Sequence, residues 1–300
     1  MGNFFQELAR RLAERWVGLL VVPGALFAAT AWAGWHLGWR HAWDLPGLVR
    51  HVSATGTEIA SWPAPTQVLL VLAVGLGVSA VGLAVQALAG LTRAVWLGSW
   101  PARVSDPIVS WRRRRWDAHA ERRNHLQRQH PPADRTEDQQ HAIDRAAART
   151  TRLSPARPGR PTWMGDRGHA VEQIARDRYG LDLTYGWPRL WLVLLEPTRA
   201  EITAAHAAFV SSVAVASWAW PYLALTVVWW PAVAIAVIIG ATGWVRGRSA
   251  AQELAVLLEA AVDLHGRALA VALGVAGPDT AGPLTPTEGA AITAIVRKGR

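Results

Sequence analysis

Residues 204–245 constrain this chain more than any other stretch, because roughly 42 consecutive positions carry no Asp, Glu, Lys or Arg. A helix crosses the roughly 30 Å hydrocarbon core of a bilayer with about 20 apolar residues. The run is therefore long enough for two crossings. Two more charge-free stretches, at residues 16–39 and 66–91, are each long enough for one. The expectation is an all-α membrane protein with four transmembrane helices in two pairs, a helical cytoplasmic insertion between the pairs, and a C-terminal amphipathic helix. The segments that follow are 1–15, an amphipathic helix at the membrane surface; 16–92, the first pair; 93–203, the insertion, with a Pro-rich linker near 153–161; 204–245, the second pair; and 246–300, the C-terminal helices.

Orientation comes from arginine. The formal net charge is +9, and basic residues collect in three places: the N-terminal segment, the insertion and the C-terminal tail. Four crossings put all three on one side, and basic residues favour the cytoplasmic side. The expected location is a bacterial plasma membrane, with multiple crossings and both termini in the cytoplasm. A basic protein also invites a nucleic-acid reading. Orientation and contact with anionic lipid headgroups account for the charge better, and no nucleic acid is expected as a partner.

Within the first pair, Pro23 and Gly24 bend the first crossing, and Trp32, Trp35 and Trp39 crowd its outer end, where the amphipathic indole favours the headgroup level. Residues 41–65 read as a mixed loop. On the second crossing, Gly75, Ser79, Gly82, Gln86 and Gly90 recur every three or four positions and form one stripe of small or polar residues. Such stripes let membrane helices approach closely. Gln86 is expected to hydrogen-bond a neighbouring helix. The turn of the second pair lies between Ser217 and Pro231, and the sequence permits an early or a late position.

In the insertion, a charged helix holds Arg112, Arg113, Arg114 and Arg115, flanked by Trp111 and Trp116. This cluster suits an anionic membrane surface. A second polar helix follows over 135–152. Three prolines and a glycine then mark the linker. A helix is expected over 166–178, and an apolar segment over 187–195 is too short to span and belongs at the interface, with Arg189 reaching headgroups. Thr285, Pro286 and Glu288 have capping-box spacing.

Chemistry is sparse. The predicted spans hold no ionisable Asp, Glu, Lys or Arg, which argues against a proton-coupled transporter. No cysteine is present. The ten histidines lack metal-site spacing, so neither a metal nor a cofactor is expected. Asp166, Glu172 and Tyr179 make the only cluster that an enzyme could use, and salt bridges and helix caps explain the same residues better. No catalytic residue is assigned, and the chain is expected not to be an enzyme.

One segment resembles a known family. Pro161, Thr162, Gly165 and Asp166 begin it; Arg178, Tyr179, Gly180 and Asp182 form its centre; Trp187, Pro188, Arg189 and Leu190 end it. It is similar to a family of uncharacterised bacterial integral membrane proteins, of actinobacterial type, with a Pro-Thr-x-x-Gly-Asn, Arg-Tyr-Gly-x-Asp, Trp-Pro-Arg-Leu pattern between two pairs of transmembrane helices. Asp166 departs from the pattern's asparagine. The resemblance implies membrane topology and bacterial origin and assigns no reaction. Arg178, Tyr179, Asp182, Trp187 and Arg189 are thus candidate partner or lipid contacts. The expected role is a plasma-membrane anchor or interaction protein that presents a basic helical region to a partner, possibly itself. The alternative is a homo-oligomeric channel with Ser79 and Gln86 facing the lumen.

Overall fold

A computed structural model describes residues 22–132 and 135–297. The N-terminal surface helix expected over 1–15, and the start of the first crossing, lie outside the described residues. The regular structure of the described residues is all helical, with no strand among them: α1 (Val22–Leu37), α2 (Leu45–Ala60), α3 (Ala64–Leu97), α4 (Ala102–Gln129), α5 (Glu137–Leu153), α6 (Trp163–Tyr179), α7 (Leu183–Val193), α8 (Glu196–Ser217), α9 (Ala219–Leu225), α10 (Ala232–Ala272) and α11 (Pro286–Arg297). The chain divides into two units. Unit 1 is Met1–Thr92 with Ser211–Val245, and unit 2 is Arg93–Val210 with Arg246–Arg300.

Two helical stretches, Ala64–Gln129 and Glu196–Leu225, are long and apolar enough to cross a membrane. The apolar windows lie within α3 and the α8–α9 stretch, and only 17% of the first is buried. In a water-soluble core helix most of such a window would be covered by protein. Instead Leu69, Val71, Leu72 and Leu76 are more than half exposed along α3.

Unit 1 packs through small residues. A Cβ at Gly24 of α1 would sit 2.8 Å from the Val78 carbonyl oxygen of α3, and one at Gly243 of α10 would sit 2.9 Å from the Ala216 backbone nitrogen of α8. Only glycine permits backbones this close. A polar knot closes the same unit: the Trp220 indole donates to the Thr92 hydroxyl at 2.9 Å, and the buried Ser217 hydroxyl lies 2.9 Å from it. At the other end, the Trp39 indole donates to the Val227 carbonyl and the Trp229 indole to that of Ala42. The chain reverses late, over residues 226–231, just before α10.

Residues 41–65, expected as a loop, hold helix α2. Asp44 caps it, its carboxylate accepting from the Gly47 amide, with proline in the first turn. Cap and proline together start a helix that Ser, Thr and β-branched residues would otherwise disfavour. The fourth charge-free segment and the C-terminal amphipathic helix are one helix, α10, which runs on through Gly240, Gly243, Gly247 and Gly266. Gly274, with φ of 70°, stands just beyond its end.

In unit 2, α4 and α5 pack on each other with Ile143 and Ala146 buried. A second core gathers α6, α7, α10 and α11 around Leu181, Leu190, Val262, Leu269 and Ile292. The segment over 187–195, expected at a membrane interface, belongs to α7, and Leu190 is wholly buried in this core. Arg189 turns back to the Tyr185 carbonyl at 2.9 Å. Asp182 caps the start of α7; Leu183, Leu190 and Leu194 are buried, whereas Leu192 and Leu195 are exposed.

Candidate functional site: an apolar cleft beside a buried charge junction

The Arg112–Arg115 run splits in two. Arg112 turns inward and places its Nη2 2.5 Å from Asp166 Oδ2. Arg113 donates to the Pro158 carbonyl at 2.8 Å. Arg114 and Arg115 remain exposed, with Arg115 resting 5.7 Å over the Trp111 ring. Asp166 is 1% exposed, and its Oδ1 accepts from the Gly159 and Arg160 amides at 2.9 and 2.7 Å. The Trp116 indole donates to Ser154. The Pro-rich stretch, expected as a linker, is thus a strap fastened to α4 and to the first turn of α6. It has no regular structure, so its amides would be orphaned without these partners.

The Arg-Tyr-Gly-x-Asp residues form the second junction. Gly180, at φ 65°, ends α6 in the left-handed conformation, as helix C-termini often require. Asp182 caps α7 through the Thr184 amide at 3.0 Å and accepts from Arg297 of α11 at 2.6 Å. Burial pushes the Asp182 carboxyl up, but the Arg297 and Thr184 hydrogen bonds, with the Arg176 charge, outweigh it and hold it below the usual range. Arg178 pairs with Asp263 at 3.9 Å, and Arg297 and Arg176 lie 2.6 and 3.9 Å from Asp182. Tyr179 donates to Asp263 at 2.5 Å; burial, then this bond, raises its pKa. On α11, Glu288 accepts from Thr285 and from Arg267, which holds its carboxyl at about 2.

Asp166 and Tyr179 stand 13 residues apart on α6, roughly 20 Å at 1.5 Å per residue. Asp166 faces Arg112 and the strap, Tyr179 faces Asp263, and Glu172 is exposed between them. The three do not converge on one point. Near the start of the same helix, Arg167 and Arg248 approach the Trp163 ring to 4.4 and 4.0 Å. Burial, then the Arg248 charge, lowers the pKa of Arg167.

A cleft of about 830 Å³ opens beside the second junction, within the usual size for ligand sites. Helix α7 gives it Leu183, Thr184, Trp187, Pro188 and Trp191; α6 gives Gly168, Val171 and Glu172; α8 gives Ile202, Thr203 and His206; α10 gives Leu254 and Leu258. A smaller cavity of about 240 Å³ shares Gly168, His206, Leu254 and Leu258, and extends to Arg93, Leu97 and Phe209. The lining of both is mainly apolar; Glu172 belongs to the larger and Arg93 to the smaller. The rings of Trp187 and Trp191, in the larger, stand 6.0 Å apart.

Among the candidate contacts named from sequence, the cleft takes only Trp187. The rest of its lining comes from the neighbouring turns of α7, from the consecutive helices α6 and α8, and from α10 about 48 residues further on, so no single local pattern marks it. Gly168 is the one visible signal: a glycine in the interior of a helix. On α3, Gly82 is buried and Ser79 half-buried, donating to the Gly75 carbonyl at 2.8 Å, while Gly75, Gln86 and Gly90 are exposed. Thr92, Ser217 and Trp220, not Gln86, make a hydrogen-bonded contact between side chains of different helices in unit 1.

No protein-family model, curated protein or solved structure matches the chain.

Proposed function

We propose that this chain is a multi-pass protein of a bacterial plasma membrane, with four crossings and both ends in the cytosol. Unit 2 is its cytosolic recognition region, and the cleft between α6, α7, α8 and α10 is where it binds. Binding, rather than a reaction, is its activity. One observation carries the reading. Among the described residues of unit 1, Arg40, Asp44, Arg50 and Glu58 are the only charged ones, and all four lie between α1 and α3 or on α2. Every other described position of that unit is uncharged, and its exposed surface includes Leu26, Leu76, Val237 and Ile238. Apolar surface on this scale marks contact with lipid or protein. Gln86, exposed on an apolar helix, favours a second reading, in which copies associate through α3 around a pore.

The absence of cysteine makes the topology directly testable. Ser53→Cys on α2 should react with a membrane-impermeant thiol reagent added to intact cells. Ser110→Cys on α4 should react only after permeabilisation. The reverse pattern, or equal labelling of both in intact cells, overturns the reading.

A further inference from the structure

The cleft is apolar and aromatic. The smaller cavity that adjoins it through Gly168, His206, Leu254 and Leu258 is lined by Arg93, and Gly168, which both share, is a residue that the packing does not require. A Cβ at Gly168 would meet nothing within 4 Å. Glycine inside a helix is less favourable than alanine, so its presence here lacks the reason found three residues earlier. There, a Cβ at Gly165 would strike the Leu97 carbonyl. A side chain at Gly168 would enter the cleft where α6, α8 and α10 face one another. Charge along the cleft fixes a direction. Arg93 is exposed and makes no side-chain hydrogen bond or ion pair among the described residues. Glu172 lines the larger cleft with Trp187 and Trp191 and is not part of the smaller cavity that Arg93 lines. An anionic group is therefore favoured at Arg93 and disfavoured beside Glu172, and an apolar body suits the space between Gly168 and the two tryptophans.

We propose that the cleft binds a single-chain amphiphile with an anionic head, a fatty acid or a lysophospholipid, with its head at Arg93 and its acyl chain running past Gly168 to Trp187 and Trp191. The assignment rests on the reading of the cleft as the recognition site, and it takes the membrane as the source of such molecules.

The test uses the full-length chain in lipid nanodiscs, with empty discs subtracted. Radiolabelled palmitate and radiolabelled lysophosphatidylglycerol are titrated separately. Saturable binding of either, at one per chain, is the expected result, and the probe that saturates at the lower concentration identifies the source. Gly168→Leu, with unchanged helicity, should weaken that binding about tenfold or more by filling the cleft. Leu258→Trp, filling it from α10, carries the same expectation should Gly168→Leu fail to fold. Arg93→Gln should weaken binding about threefold, as loss of an exposed charge contact does, with Arg93→Lys restoring it. Wild-type protein that binds neither probe saturably, or folded plugged variants that bind like wild type, overturns the proposal. Thiol labelling of the same protein keeps the two readings apart: a reversed pattern beside normal binding removes the topology and leaves the cleft.

Discussion

Asp166→Ala should destabilise unit 2 by about 3–5 kcal/mol, the range for removing one partner of a buried ion pair. The carboxylate answers three groups at once. Without it, the inward-facing Arg112 guanidinium loses its anion, and the Gly159 and Arg160 amides lose their acceptor. Asp166→Asn keeps an oxygen for the two amides but presents an amide to Arg112, so its expected effect is smaller, about 1.5–3 kcal/mol, as for a hydrogen bond to a charged group. Chemical unfolding followed by circular dichroism gives the size of both effects. Tryptic cleavage after Arg152, at the start of the strap, should accelerate in the same order. An alanine variant with wild-type midpoint and wild-type cleavage would mean that the strap is held by something other than Asp166.

Gly289→Ala is expected to release α11. A Cβ at Gly289 would fall on the Tyr179 carbonyl oxygen, where the end of α6 and the start of α11 cross with no room for a methyl group. The opposing backbone cannot move away easily, because Gly180 is itself tight against α11: its own Cβ would sit 2.6 Å from the Pro286 carbonyl. Overpacking of this kind costs about 1–3 kcal/mol where the core can adjust, and more where backbone is struck. Displacing α11 would also expose Ile292 and Val296 and separate Arg297 from Asp182 and Glu288 from Arg267. Amide exchange over residues 286–297 should rise well above that of α6. Protection unchanged from wild type would show that α11 is not seated on Tyr179 and Gly180.

What could be read in advance followed from how local each signal is. The helical character is carried by long apolar runs and by charged stretches without β-branched alternation. The capping box at Thr285 and Glu288 is a four-residue pattern, and its bonds are present. Helix α2 was missed because its cap, Asp44, precedes a polar, β-branched stretch that looks like a loop. The α7 segment is ambiguous in sequence because a short apolar run has the same composition at a membrane interface as in a core; here Leu190 and Leu194 are buried while Leu192 and Leu195 stay exposed. The Arg112–Arg115 run shows the same limit. Four adjacent arginines look equivalent in sequence, yet successive helix positions point about 100° apart. One of them therefore meets Asp166, 54 positions further on, while others stay in solvent. The cleft was least legible, since it exists only once four helices converge.

The central claim is that hydrocarbon, not water or protein, surrounds the charge-free helix α3. Leu76 is 73% exposed, and it can be replaced by the chain's only cysteine and spin-labelled in nanodiscs. The account predicts a label highly accessible to dissolved oxygen and nearly inaccessible to a water-soluble nickel complex, with the opposite ranking for a label at Ser110. A label at Leu76 that the nickel complex reaches as readily as it reaches Ser110 would contradict it.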